Sequence, residues 1–408
     1  MNKDAEILKK LGERLAQIAV LPEQEEKKKM WRAHNGLKAV RPMVCIDQLP
    51  LHELNVNDEL TLRCEDEFLR SVEQSIRRLL YKWNHFPADM VIENRVDVPK
   101  TVIGLNYGLT IIEETLSVQE GNEIVSHKYA DQCETEDALA ALKPDEIRTD
   151  KELDREHKEI CEEIFKDIIP VRLSGVIINT AVWDRISQAR PLEKILFDII
   201  DRPEFSRMVA EKFLSLTLST VDQCETLGLL DAEDPLIHCT GAYTDELPRE
   251  NYDPDHTKAV DCWTFAMAQM FSTVGPDTHE ELEIDIMKPL FERFGLLCYG
   301  CCEPLHKKID VIRKIKNVRK ISVSPWADID ESAERIAGDY VFSGKAHPTY
   351  VTSGILDREN FERQISHMIE ACKRNGTPCE IILKDVSTVS GNPNVLTQWE
   401  NAVMNLVK

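Results

Sequence analysis

Positive charge is what this chain is short of. Its 50 Lys and Arg stand against 72 Asp and Glu in 408 residues, a formal net charge of −22. A nucleic-acid binder needs clustered cations to neutralise phosphates, and an anionic membrane surface makes the same demand, so both partner classes are excluded. Long apolar runs are missing too. No stretch approaches 18 uncharged apolar residues, and nothing is expected to span a membrane. The opening segment Met1–Lys10 is charged and amphipathic, with none of the marks of a signal peptide. Without secretion, the 12 cysteines are expected as reduced thiols in the cytoplasm. The chain also has no internal repeat, no low-complexity linker and no Gly-x-Gly-x-x-Gly turn.

What is present is an ordinary core, with 42% apolar and 30% charged residues. Residues 1–40 have a charged helical pattern and form an N-terminal extension ending before Arg41-Pro42. Met43–Asp47 is a short strand. A mixed insertion covers about residues 51–168. Within it, Phe68, Val72, Ile76 and Leu79-Leu80 repeat at helical spacing, and residues 91–96, 108–113 and 123–127 alternate as strands do. Those three are expected to form a β excursion of two or three antiparallel strands. From residue 170 a strand–helix rhythm sets in, with strands at 171–178, 235–239, 262–271, 295–299, 318–323, 340–343 and 379–383. Such alternation demands a parallel sheet, because each crossover returns to the same edge. Eight units predict a closed α/β architecture, the (β/α)8 TIM barrel, over residues 41–408.

The densest chemistry is the septet Cys298-Tyr-Gly-Cys-Cys-Glu-Pro304. It follows the apolar run Phe294–Leu297, and Pro304 suits the first turn of a helix. It therefore falls on a strand-to-helix turn, where parallel barrels present reactive groups. Thiolates beside a carboxylate make a donor set that zinc accepts. If the strand runs straight, Tyr299, Cys301 and Glu303 share one face, with Cys298, Gly300 and Cys302 on the other. Cys301 ranks first as a ligand and Cys302 second. One ion needs three or four donors, so others must come from neighbouring strand ends, and His238, His347 and Asp385 are the candidates. The plain alternatives are buried structural thiols, a hydrogen-bonded core imidazole at His238, an exposed His347, and a simple ion pair at Lys384-Asp385.

The order of septet, Val318–Asp328, and Tyr340-Val-Phe-Ser-Gly-Lys-Ala-His-Pro348 resembles the C-terminal half of the uroporphyrinogen decarboxylase superfamily. The nearer likeness is to its cobalamin-dependent methyltransferases, including the methylcobamide:coenzyme M type. The resemblance covers residues 170–405, and Arg41-Pro-Met-Val matches more loosely. It implies a TIM barrel, zinc, a corrinoid supplied by a partner protein, and a homodimer. The family's His-x-Cys pair falls on Tyr299 and Cys301, and its last-strand Cys falls near Lys384-Asp385. Ligation is expected from Cys301, Cys302 and His238. Glu303, Asp385 and Lys384 supply acid–base groups, and Trp263, Trp326 and Tyr299 form the cofactor-facing wall. The decarboxylases' arginine-rich segment, which holds an acidic porphyrinogen, is replaced here by Val44-Cys-Ile-Asp-Gln-Leu-Pro50. The expected activity is therefore methyl transfer between a small substrate and the corrinoid. The chain contains no Asp-x-His-x-x-Gly corrinoid motif of its own. The rival readings are a metal-free decarboxylase or lyase of a small acid, and a non-catalytic corrinoid-handling module.

Overall fold

The computed structural model describes residues 3–116 and 125–408. In chain order its strands are β1 (Met43–Ile46), β2 (Val96–Pro99), β3 (Glu113–Leu116), β4 (Ser126–Tyr129), β5 (Val171–Ser174) and β6 (Leu236–Ile237). They continue as β7 (Thr240–Gly241), β8 (Trp263–Ala266), β9 (Leu296–Tyr299), β10 (Val318–Val323), β11 (Val341–Lys345) and β12 (Cys379–Leu383). Six of them form one parallel sheet in the order β1-β12-β11-β10-β9-β8. Helices such as Ile329–Ile336 and Arg358–Arg374 make the crossovers.

These strands are buried and largely apolar on the side that packs against the helices, as a covered parallel sheet requires. Ile321, Phe342, Ile381 and Leu383 face the helices in the main core. Their neighbours in sequence face the other way, and among them Lys320, Ser322, Glu380 and Lys384 are all buried. Beyond the six strands there are looser pairings. β2 pairs in parallel with β5, and a parallel bridge joins Asn179 to Phe265 beside the β8 edge. At the opposite edge Val44 N–H donates to Asp89 Oδ2 (2.8 Å), and Asp89 N–H donates back to Val44 O (3.2 Å). The arrangement is compatible with a TIM barrel, although among the described residues no continuous ladder runs from β1 round to β8.

Three expectations change. Residues 91–96 do not join an antiparallel excursion; only Val96 enters a strand, which lies parallel to β5 because both belong to the main rhythm. Of residues 108–113, only Glu113 enters a strand, β3, which pairs antiparallel with β4. From the expected strand at 123–127, Glu123 and Ile124 lie outside the described residues. The third change matters most for the site. Residues 235–239 do not make a barrel strand but enter the tight antiparallel hairpin β6–β7, with Leu236 opposite Gly241 and Ile237 opposite Thr240. His238 occupies its turn with φ +56°.

The N-terminal extension is helical, as expected, in Lys3–Ala19 and Pro22–Asn35. The second helix seals the sheet's inner face. Its Trp31, His34 and Asn35 are all buried. The Lys320 ammonium donates to Thr240 Oγ1 and Glu380 Oε2, both at 2.8 Å, and to Gly241 O at 3.0 Å. His34 Nε2 lies 3.1 Å from Glu380 Oε2. Burial by itself would raise the Glu380 pKa, but Lys320 and His34 together hold it well below the carboxylate range. No helix among the described residues is long and apolar enough to cross a membrane.

Candidate functional site

The septet does not continue β9 as a straight strand. Gly300 adopts φ +92°, a conformation that L side chains rarely take, and an added Cβ there would strike Leu305 Cδ1. This one residue inverts the alternation. Tyr299 points outward into the helix layer, fully buried, with its hydroxyl 2.7 Å from His279 Nε2. Cys301 instead joins Cys298, Phe265 and Trp263 in the inner cluster. Tyr299 is therefore not placed where it could face a cofactor beside Cys301.

Two buried groups clamp the turn. Glu303 is fully buried, accepting from Cys301 N–H at 2.9 Å and from Ala268 N–H at 3.2 Å. Ser322 Oγ donates to Cys301 O at 2.8 Å. Glu303 thus sits behind the thiol and fixes the backbone that carries it. Burial raises its pKa, against the pull of these N–H donors.

The end of β12 brings the remaining charges. The Lys384 ammonium lies 2.8 Å from Cys301 Sγ, 3.1 Å from His238 Nε2 and 3.2 Å from Asp385 Oδ2. Cys301 Sγ is 3.5 Å from both Cys302 Sγ and His238 Nε2. Cys302 Sγ donates to Asp385 Oδ2 at 3.3 Å. The His238 ring stacks on Phe265 with centroids 3.9 Å apart. Donor atoms of Cys301, Cys302 and Asp385 all lie within 4.8 Å of one another.

The electrostatics divide the two thiols. The neighbouring Cys302 thiol, with His238 and Lys384, pulls the Cys301 pKa well below its usual value against the effect of burial. Cys302 is driven upward as the partner that keeps its proton. Burial lowers the His238 pKa, but hydrogen bonds with Cys239 and Cys301 overcome it and lift the ring to about 9. The site thus pairs one thiolate with an imidazolium and an ammonium.

Of the residues expected at the site, Cys301, Cys302, His238, Lys384 and Asp385 converge, and Glu303 supports them from behind. The two tryptophans do not converge. Trp263 opens β8 at the end remote from the thiols, its Nε1 donating to Ala242 O at 2.8 Å. Trp326 is 66% exposed and packs edge-on against His347. His347 itself hydrogen-bonds Thr349 at the surface.

Sequence reasoning missed a second carboxylate group behind the turn. Asp184 accepts from Gln269 N–H and Nε2, both at 3.1 Å, and burial lifts it to about 7. Glu283 is fully buried with neither carboxylate oxygen hydrogen-bonded, and burial beside Asp184 and Glu303 keeps it protonated. It lies on a π-helical turn, Glu280–Ile284, in a run of glutamates that reads as a solvated helix face. The missed signal was the π-turn, which no local sequence pattern announces. A small cavity of about 80 Å³ opens between β1 and the β6–β7 hairpin, lined by Cys45, Asp47, Lys82, Met90 and Cys239 among others. It reaches the residue beside His238 from the side.

Comparison with known proteins adds a fold relationship. No family model matches the chain, and no curated protein matches it. Among solved structures it is similar to a methyltransferase from Methanosarcina mazei, with TM-score 0.50 and 9% sequence identity, covering 92% of this chain and 98% of that one. The similarity spans nearly the whole length of both chains and, at that identity, is one of fold.

Proposed function

We propose that this chain is a methyltransferase of the uroporphyrinogen decarboxylase superfamily, on a closed (β/α)8 barrel, moving a methyl group between a small molecule and a corrinoid carried by a partner protein. The observation that carries this reading is the convergence of two thiols, an imidazole and a carboxylate from three separate chain segments. The fold likeness to a methyltransferase supports it.

The donor set fits zinc. Cys301, Cys302 and Asp385 offer soft and hard donors within one ion's reach, and His238 stands at 3.5 Å as a fourth. When bound there, zinc supplies Lewis acidity toward the heteroatom that carries or receives the methyl group. The protein's own groups do the rest. Phe265 holds the His238 ring by stacking, and Glu303 fixes the Cys301 backbone.

The test is elemental analysis of anaerobically purified protein, followed by methyl transfer to reduced cobalamin monitored by absorbance. One zinc per chain and loss of transfer on chelation are expected. Full transfer by metal-free protein would overturn the zinc role. The rival reading, a metal-free lyase with Lys384 and Asp385 as acid and base, draws support from the ammonium among the thiols. Absence of stoichiometric zinc together with decarboxylation of a small acid would favour it.

A further inference from the structure

The Lys384 ammonium occupies the very space that a metal would need. It is nearly fully buried, at 2% exposure, and its Nζ lies within 3.2 Å of donors from Cys301, His238 and Asp385 together. Zinc binds sulfur, imidazole nitrogen and carboxylate oxygen at about 2.0–2.3 Å. An ion that close to Cys301 Sγ and Asp385 Oδ2 would overlap the ammonium and face its full like charge across a poorly solvated gap. Two cations cannot share this position.

We infer that Lys384 is a built-in counter-cation that excludes metal from the thiol cluster, so that loading requires the ammonium to swing out. This rests on the zinc reading above and adds to it a second, metal-free resting state, in which the lysine stands among the donors in the metal's place. The open side of the cluster gives the side chain a way out. Cys302 is only partly buried and Asp385 is 46% exposed, whereas Glu303 and Phe265 close the back. A lysine has the length and the rotamer freedom for such a swing, which a shorter cation would lack. The consequence is a site that holds zinc less tightly than its donors alone would allow, and that keeps its arrangement when metal is scarce.

The experiment compares wild type with Lys384→Met and Lys384→Gln, both neutral and close to lysine in bulk, after circular dichroism has shown them folded. Zinc affinity is measured by competition with a chromophoric chelator, and cobalt(II) is titrated separately to report thiolate ligation through its charge-transfer absorption. Both variants should bind one zinc at least about tenfold more tightly than wild type, because a unit positive charge has left the donors' neighbourhood. Cobalt bands should appear at lower metal concentration. If wild type and both variants bind zinc equally, the exclusion is overturned while the zinc site stands. If none binds zinc or shows thiolate–cobalt bands, the zinc reading falls and takes this inference with it.

Discussion

Single residues here act largely through protons and backbone conformation. Asp184 shows how burial converts a residue into a pH-dependent element of the fold. Its folded pKa of about 7 lies above the usual 3.8, with burial as the main cause. The folded state therefore holds this proton more tightly than the unfolded chain does. The resulting stabilisation is fully present below pH 3.8 and is lost as pH rises through about 7. Asp184→Asn stays neutral at every pH, and rotation of the Gln269 amide can restore its hydrogen bonds. The variant should match wild type in thermal unfolding near pH 4 and exceed it above about pH 7, with a flatter pH profile between. Equal profiles for the two proteins would place the proton elsewhere, for instance on the fully buried Glu283.

At the scale of elements, the site depends on two backbone departures that no periodicity reveals. The sequence marked the septet after β9 and the end of β12, and their side chains do come together, because apolar runs followed by polar turns are local signals. It misassigned Tyr299 because parity was carried through Gly300, where the positive φ reverses it. It also took residues 235–239 for a barrel strand. The run is short and apolar in both a hairpin and a strand, and only the pairing of Leu236 with Gly241 distinguishes them. His238 nevertheless reaches Cys301, delivered by a turn rather than by a strand end. Gly300→Ala tests the first departure directly. The added methyl meets Leu305 Cδ1 and lies 3.1 Å from Ser322 Cβ, at a φ disfavoured for alanine. The variant should lose about 1–3 kcal/mol by chemical denaturation. Because Cys301 is the next residue, its reactivity toward alkylating reagents should change as well. Wild-type stability in Gly300→Ala would mean that the turn relaxes freely and that the thiol's position is not held by this residue.

For the whole molecule the governing quantity is the charge. The parallel sheet and helical extension follow from patterns that the chain repeats, which is why the fold class was readable while the long-range partners Glu380, Lys320 and His34 were not. Those three are separated by up to 346 positions and meet only when the sheet packs against the helix Pro22–Asn35. Inside, charges are matched: Lys320 with Glu380, Arg190 with Asp198, Arg172 with Asp231. The excess of 22 negative charges is therefore carried mostly by the surface, where like charges repel in the compact state more than in the expanded one. Screening weakens this repulsion over a distance of about 10 Å at 0.1 M salt, whereas the buried pairs are shielded from solvent ions and keep their strength. Added potassium chloride should then raise the unfolding midpoint, steeply between about 0.01 and 0.15 M and little beyond. Surface ion pairs such as Arg155 with Glu152 and Glu159 work against this trend, but solvent-exposed pairs of this kind contribute too little to outweigh the net charge. A midpoint that falls with salt would show that paired surface charges, and not the acidic excess, dominate the electrostatic balance of the fold.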